Sequence, residues 1–317
     1  MPIVDPHLHI FGSANDRQYF RIDDYAEELT RGHRILKTVY MEAYRSGWRT
    51  TGPEHLRSVG EVESIASRTR EPITTAYGHC EFAAGIVAHV DLTLGVRVVE
   101  TLDALVEAGE GRLRGVRQVA AYDDGLVGSF IKELPPVRLM QNANFLDGFS
   151  KLQGYGLSFD VWIYHHQLDE LTWLVDKFPG VTFILNHLGG LIGVGPYGKN
   201  RAESMKGWEL SLRRLAERTN VFVKVGGMGM PVFGHNFEHK ARPATSSEMA
   251  TAWQPLIDIC VSAFGTRRCM FESNFPVDRQ SGGYTEIWNA LKKATKAMSP
   301  GERHEMFYES ACRAYRL

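Results

Sequence analysis

The feature that most constrains the fold is an alternation of short apolar runs with longer amphipathic stretches along the whole chain. Eight runs rich in β-branched and apolar residues span 3–11, 37–43, 85–92, 115–119, 157–164, 182–188, 221–227 and 269–276. Helical patterns lie at 53–68, 99–108, 139–152, 167–177, 202–218, 247–264, 284–298 and 301–315. Eight βα units predict an α/β fold, a closed (β/α)8 TIM barrel.

Domain organisation and partners follow from composition. No Gly/Ser linker, low-complexity tract or repeat divides the chain, so we expect residues 1–317 to form a single, somewhat distorted barrel domain. The net charge of -1 provides no surplus to recruit nucleic acid or anionic lipid. The expected partner is therefore a small-molecule substrate, with neither nucleic acid nor membrane, and assembly into a homo-oligomer stays open.

The expected compartment is the cytoplasm. No apolar run reaches the roughly 20 residues of a membrane helix, and the N-terminus lacks a basic segment followed by an apolar one. The four cysteines are scattered without a C-x-x-C pair, which predicts neither a disulfide framework nor a thiolate metal site. Gly-x-Gly-x-x-Gly and phosphate-loop motifs are also absent, which weakens a nucleotide-binding interpretation.

Two histidines one residue apart, His7 and His9, lie in the first apolar run. Side chains alternate faces along a strand, so both imidazoles are expected to point the same way. Such a pair suits a divalent metal or a polar catalytic cluster. The alternative is that both are hydrogen-bonded core residues.

Polar residues also mark the ends of the other predicted strands, where functional groups of a parallel barrel gather. They are Glu42, His89, Asp91, Arg117, Tyr164, His165, His166, Asn186, His187, Lys224, Glu272, Asn274 and Asp278. His187 precedes a glycine turn and is either a ligand or acid facing His7 and His9, or a strand-end cap. The adjacent His165 and His166 point to opposite faces, so at most one joins the same cluster.

Two cations near these ends have open roles. Arg117 suits a substrate carboxylate or an oxyanion, although a buried salt bridge explains it nearly as well. Lys224 is flanked by valines and needs an acidic partner, for which Glu42 and Asp91 are candidates. The long segment 226–246, which includes His235 and His239, is expected either to line the site and set specificity or to be an ordered structural loop.

Taken together, these motifs resemble the amidohydrolase superfamily, specifically its amidohydrolase-2 branch of lactonase-like TIM-barrel hydrolases. The matching segments are Val4-Asp5-Pro6-His7-Leu8-His9, Gly115-Val116-Arg117, Asn186-His187-Leu188-Gly189 and Met270-Phe271-Glu272-Ser273-Asn274-Phe275-Pro276. The resemblance implies a barrel enzyme that opens a lactone, ester or amide with water. The sequence therefore predicts a hydrolase, and a lactonase in particular.

The resemblance also implies site roles. One divalent metal, most often zinc, would be held by His7, His9 and His187, while operation without a metal stays open and would leave these imidazoles to polarise the carbonyl. Catalytic roles are predicted for a set that comprises His187, Asn274, Glu272, His165 and His166. Substrate contacts are predicted for Arg117, Tyr164, Lys224, His235 and His239.

The chain departs from the family pattern at Asn274, which stands where the family carries its aspartate base. An amide cannot accept a proton near neutral pH. Glu272, Asp278 or a histidine (His165, His166 or His239) would have to replace it. The departure also keeps two alternatives open: a decarboxylase or hydratase on the same barrel, and a catalytically silent binder of a small carboxylate.

Overall fold

The computed structural model describes residues 1–12 and 18–317. Its central feature is a parallel barrel whose strands pair in chain order. These strands are β1 (Pro2–Leu8), β2 (Arg34–Met41), β4 (Gly78–His89), β5 (Leu113–Arg117), β6 (Ser158–Val161), β7 (Phe183–Leu185), β8 (Val221–Val225) and β9 (Cys269–Phe271). A short antiparallel strand, β3 (Ile73–Thr75), pairs with the start of β4. The TIM-barrel prediction is confirmed.

The barrel is nearly closed between its last and first strands. The contact consists of a bridge between Leu8 and Phe275. The amide of His9 donates to the carbonyl of Phe275 at 2.9 Å, and the amide of Asn274 donates to the carbonyl of His7 at 3.0 Å. Closure therefore joins the two segments that carry the first-strand and last-strand motifs.

Helices surround the strands in the expected alternation, although several predicted segments are divided. They are α1 (Ile22–Glu28), α2 (Val59–Arg68), α3 (Val98–Ala108), α4 (Ala143–Phe149), α5 (Leu152–Tyr155), α6 (Leu168–Lys177), α7 (Gly195–Lys199), α8 (Arg201–Ala216), α9 (Ser246–Phe264), α10 (Tyr284–Ala294), α11 (Pro300–His304) and α12 (Ser310–Tyr315). Across residues 1–12 and 18–317, no helix is both long and apolar enough to cross a membrane.

The barrel interior consists of an apolar layer with a polar layer beyond it. The apolar layer contains Val4, Val39, Met41, Val87, Ile184 and Met270, with Ala311, Ala314 and Tyr315 of α12 packed against it. Positions two residues further along a strand share its face, so Asn186 and Glu272 follow Ile184 and Met270 on the inner side. The polar groups therefore gather at the carboxyl ends of the strands, as predicted.

Candidate active site and metal centre

Three side chains converge at the carboxyl ends of β1, β7 and β9. His7 lies near the end of β1, His187 two residues after β7, and Glu272 directly after β9. One nitrogen or oxygen atom from each lies within 4.8 Å of the others, and all three residues are buried. Nδ1 of His187 is 2.7 Å from Oε1 of Glu272, and Nδ1 of His7 is 2.8 Å from its Oε2. We call these three residues the ligand cluster.

His9 lies at the edge of the ligand cluster. Its Nε2 is 3.0 Å from Nε2 of His7, whereas its Nδ1 is 3.1 Å from the carbonyl oxygens of both Met41 and Glu42. A carbonyl can only accept a hydrogen bond, so Nδ1 of His9 carries the proton and Nε2 carries a lone pair. His9 therefore presents its lone pair to His7, while Glu272 completes the group of three.

The backbone around the cluster is shaped to admit these side chains. His187 and Leu188 have positive φ angles of 51° and 56°, which turn the chain sharply after β7. A Cβ at Gly227 would collide with the imidazole of His187, and one at Gly226 would collide with the side chain of Glu272. The two glycines after β8 therefore leave the space that His187 and Glu272 fill.

Burial sets the protonation states of the cluster. Burial and the charge of Lys224 hold the pKa of His7 well below its usual value. Burial and Arg117 have the same effect on the pKa of His187. Burial raises the pKa of Glu272 to about 8. The imidazoles are therefore neutral at neutral pH, with lone pairs available to a metal ion.

The donor atoms of these residues suit a divalent ion. Although Oε2 of Glu272 is close to His7, it lies outside hydrogen-bond geometry and has no hydrogen-bond partner among the described residues. A buried carboxyl oxygen without a partner is costly, and a cation would satisfy it and favour the ionised form of Glu272. Two imidazoles and a carboxylate are also ligand types that zinc accepts. The ligand cluster could hold a metal ion.

Arg117 is committed to a buried ion pair. Its Nη2 lies 2.6 Å from Oε1 of Glu42, its Nε donates to the same oxygen at 2.7 Å, and Nη2 also donates to the carbonyl of Glu42 at 2.8 Å. Burial opposes ionisation of Glu42, but Arg117 brings its pKa below the usual value. Arg117 therefore has the buried salt bridge that the sequence left as its alternative role.

The acidic partner of Lys224 is Asp160, not Glu42 or Asp91. Nζ of Lys224 is 2.8 Å from Oδ1 of Asp160, and both side chains are fully buried. Asp91 instead accepts from the amide of Thr93 at 2.9 Å. Asp160 was missed because it lies inside strand β6, away from the strand ends where the sequence directs attention.

Asn274 and Asp278 form a second buried polar pair, in the segment that follows Glu272 along the chain. Nδ2 of Asn274 donates to Oδ1 of Asp278 at 2.8 Å, and the amide of Gly229 donates to Oδ2 at 2.9 Å. Burial raises the pKa of Asp278 to about 8. A carboxyl group with a pKa near neutrality is thus held by the residue that replaced the expected aspartate.

With this geometry established, comparison with known proteins assigns the family. The sequence profile described as amidohydrolase matches residues 4–317. The chain belongs to the amidohydrolase family. An uncharacterised protein of Sinorhizobium fredii is 28% identical over 337 residues, covering 99% of this chain and 98% of the relative. An L-fucono-1,5-lactonase of Burkholderia multivorans is 23% identical over 235 residues, covering 74% of this chain and 72% of the relative.

Solved structures show the same fold. An amidohydrolase from Burkholderia multivorans with bound zinc superimposes with a TM-score of 0.73 at 19% identity, with all of both chains covered. A 2,6-dihydroxybenzoate decarboxylase from Rhizobium superimposes with a TM-score of 0.57 at 14% identity, covering 99% of this chain and 98% of the other. Hydrolases and decarboxylases thus share the architecture of this family member.

Three residues after β6 lie apart from the ligand cluster. The hydroxyl of Tyr164 donates to the carbonyl of Val127 at 3.0 Å. Nδ1 of His165 accepts from the amide of Ile192 at 3.3 Å, and the exposed His166 has its Nε2 3.0 Å from the carbonyl of Tyr122. The residue of this segment that does reach the cluster is Trp162, whose ring centre is 4.9 Å from that of His187. An apolar side chain gave no signal for this contact in the sequence.

The two histidines of the segment after β8 also lie apart. The ring of His235 is 5.4 Å from that of Phe237, and burial lowers its pKa to about 4. The side chain of His239 is 76% exposed and its Nε2 lies 3.5 Å from Glu238. Among the described residues, no hydrogen bond or ring contact joins either histidine to the ligand cluster, and their substrate roles stay predictions.

Proposed function

We propose that this amidohydrolase hydrolyses a small lactone with the help of one divalent ion held by His7, His187 and Glu272. The observation that carries the proposal is the convergence of three buried donor groups around a carboxylate oxygen without a hydrogen-bond partner. The lactonase among the relatives supports the substrate class, and the zinc-containing structure of a family member supports zinc.

The roles follow from the chemistry of each side chain. A bound ion would polarise the lactone carbonyl and acidify a water molecule. His7, His187 and Glu272 would orient the reacting groups, with His9 supporting His7 from the side and Trp162 excluding solvent near His187. Asp278, oriented by Asn274 and Gly229, would accept the proton of the attacking water in its ionised form.

Charge pairing in the polar layer favours an uncharged ring over a carboxylated one. Arg117 is neutralised by Glu42 and Lys224 by Asp160, each within an ion pair shorter than 3 Å. Binding a substrate carboxylate would require one of these buried pairs to open, which is costly. A neutral lactone requires no such exchange.

A lactone panel tests this proposal. The protein is purified without added metal, its metal content is measured, and acid release is titrated before and after chelation. We expect about one zinc or another divalent ion per chain under saturating metal, and turnover that falls on chelation and returns with the ion. Acid release that is unchanged after complete metal removal would overturn the role of the ion. The absence of turnover on every lactone, with or without metal, would overturn the hydrolase assignment.

A lyase is the second candidate. It is favoured by Asn274, which leaves the aspartate base of the family pattern without a direct equivalent, and the fold is compatible with it because decarboxylases share the architecture. Release of carbon dioxide from aromatic carboxylates, without acid release from lactones, would favour it. Binding of small carboxylates without any turnover would instead favour a silent binder.

A further inference from the structure

A positively charged lysine lies directly against the ligand cluster. Nζ of Lys224 is 3.3 Å from Nδ1 of His7, and both side chains are inaccessible to solvent. The ammonium group of Lys224 is therefore a cation that lies next to residues suited to bind a metal cation.

Asp160 fixes the position of Lys224. Oδ1 of Asp160 accepts from Lys224 at 2.8 Å, from Nδ2 of Asn186 at 3.0 Å and from the hydroxyl of Tyr315 at 2.7 Å. The ammonium group also lies 5.2 Å from the centre of the Tyr315 ring. Residues of β6, of the turn after β7 and of helix α12 thus hold the lysine against His7. Moving Lys224 away would break its buried ion pair with Asp160.

A complete chain of hydrogen bonds then runs through the histidines without any ion. Nδ1 of His9 must donate to backbone carbonyls, which leaves its Nε2 as an acceptor. When Lys224 donates to Nδ1 of His7, the proton of His7 lies on Nε2 and is donated to Nε2 of His9 over 3.0 Å. Every donor in this chain has an acceptor.

Metal binding by His7 breaks this chain, whichever nitrogen coordinates. If Nδ1 is the ligand atom, its lone pair is no longer available to Lys224. If Nε2 is the ligand atom, its proton must move to Nδ1, which then carries a proton and can no longer accept from Lys224. In both cases the hydrogen bond from Lys224 is lost, and its ammonium group, which is paired with Asp160 on its other side, remains beside a divalent ion.

We propose that Lys224 is a resident cation that competes with a divalent metal ion for the ligand cluster. It satisfies His7 in the metal-free protein and weakens metal binding by charge repulsion, which makes the ion exchangeable. This inference rests on the metal site proposed above, and it concerns the affinity of that site, not the reaction.

The test is the zinc dissociation constant of the full chain, measured by competition with a chelator of known affinity. Lys224→Met keeps the length of the side chain and removes its charge, and we expect it to bind zinc at least about tenfold more tightly than the unchanged protein. The matched control is Lys292→Met. Lys292 also contacts a histidine, with Nζ 2.7 Å from Nδ1 of His33, but it lies half-buried outside the cluster. Its replacement should leave zinc affinity unchanged.

A second variant guards against misfolding. Asp160 loses its ionic partner in Lys224→Met, so the double variant Asp160→Asn with Lys224→Met restores charge balance and should show the same gain in affinity. Equal or weaker zinc binding by the folded variants, or no zinc binding by any of them, would overturn the inference. Lactone turnover is assayed separately: turnover without the gain in affinity leaves the proposed function standing, and the gain without turnover leaves the inference standing.

Discussion

The polar layer of the barrel has two regions that treat buried charge in opposite ways. In the paired region, Arg117 lies 2.6 Å from Glu42 and Lys224 lies 2.8 Å from Asp160. In the ligand cluster, the single carboxyl group of Glu272 faces two neutral imidazoles, and one of its oxygens has no hydrogen-bond partner in the described part of the chain. Both regions are buried, so the difference lies in pairing and not in exposure.

The comparison indicates where a ligand can bind. Buried ions are stable when paired, and opening a pair leaves an uncompensated charge. The opposite charges of the paired region balance each other, although Oδ2 of Asp160 also lacks a hydrogen-bond partner among the described residues, so we do not expect this region to bind an ion. The ligand cluster has a buried carboxyl oxygen that a bound cation would satisfy, which is why we propose the metal site and the chemistry there.

The largest expected effect comes from removing the charge of the ligand cluster. Glu272→Gln keeps an acceptor for His187 but loses the anionic ligand, so we expect loss of bound metal and a fall in lactone turnover on the order of 10³-fold. Metal analysis and steady-state kinetics measure both. The control is Glu61→Gln, since Glu61 is also buried with its pKa raised to about 8 but lies in α2. Retention of metal by Glu272→Gln would contradict the assignment.

Breaking an ion pair of the paired region should mainly lower the stability of the protein. Arg117→Met leaves Glu42 buried and unpaired, and we expect the free energy of unfolding in urea to fall by about 3–5 kcal/mol. The double variant Arg117→Met with Glu42→Gln should recover most of this loss because no lone charge remains. If the single variant is as stable as the parent protein, opening the Arg117–Glu42 pair is not costly, and our account of the paired region is wrong.

A smaller effect is expected at the edge of the ligand cluster. Asp278→Asn removes the proposed base, and we expect turnover to fall by roughly 10²-fold. Because the pKa of Asp278 is raised to about 8, its ionised form increases as pH rises through that value. Activity of the parent protein should therefore increase between pH 7 and pH 9, and the increase should be absent in Asp278→Asn. An identical pH profile for both proteins would move the base elsewhere.

The smallest effect is expected furthest from both regions. The side chain of His239 is 76% exposed. His239→Ala should therefore change kcat and KM by less than about twofold, as surface substitutions generally do. A large rise in KM would show that the segment after β8 contacts substrate and would confirm the predicted substrate role of His239.

The fold and the location of the site could be predicted from the sequence. Strand periodicity gave the barrel, and the rule that strand ends carry function brought His7, His187 and Glu272 onto the same rim. His7 and His9 face the same side, as strand alternation predicts, with their Nε2 atoms 3.0 Å apart. The sequence could not show that Nδ1 of His9 lies against the carbonyl oxygens of Met41 and Glu42, because those contacts come from another strand.

Other contacts depend on distances across the barrel. Asp160 reaches Lys224 from β6 to β8, two strands apart, and Tyr315 joins them from the C-terminal helix α12. No local sequence pattern predicts contacts between residues that lie this far apart in the chain. His165 begins a short 3₁₀ turn, so the alternation expected of a strand does not apply there, and its catalytic role stays a prediction.

The most direct test of the central claim is the anomalous scattering of crystals grown with zinc, recorded at the zinc absorption edge. We expect one strong peak within about 2.0–2.3 Å of one donor atom each from His7, His187 and Glu272. A peak that contacts His9 but not Glu272, or no peak at this cluster under saturating zinc, would contradict it.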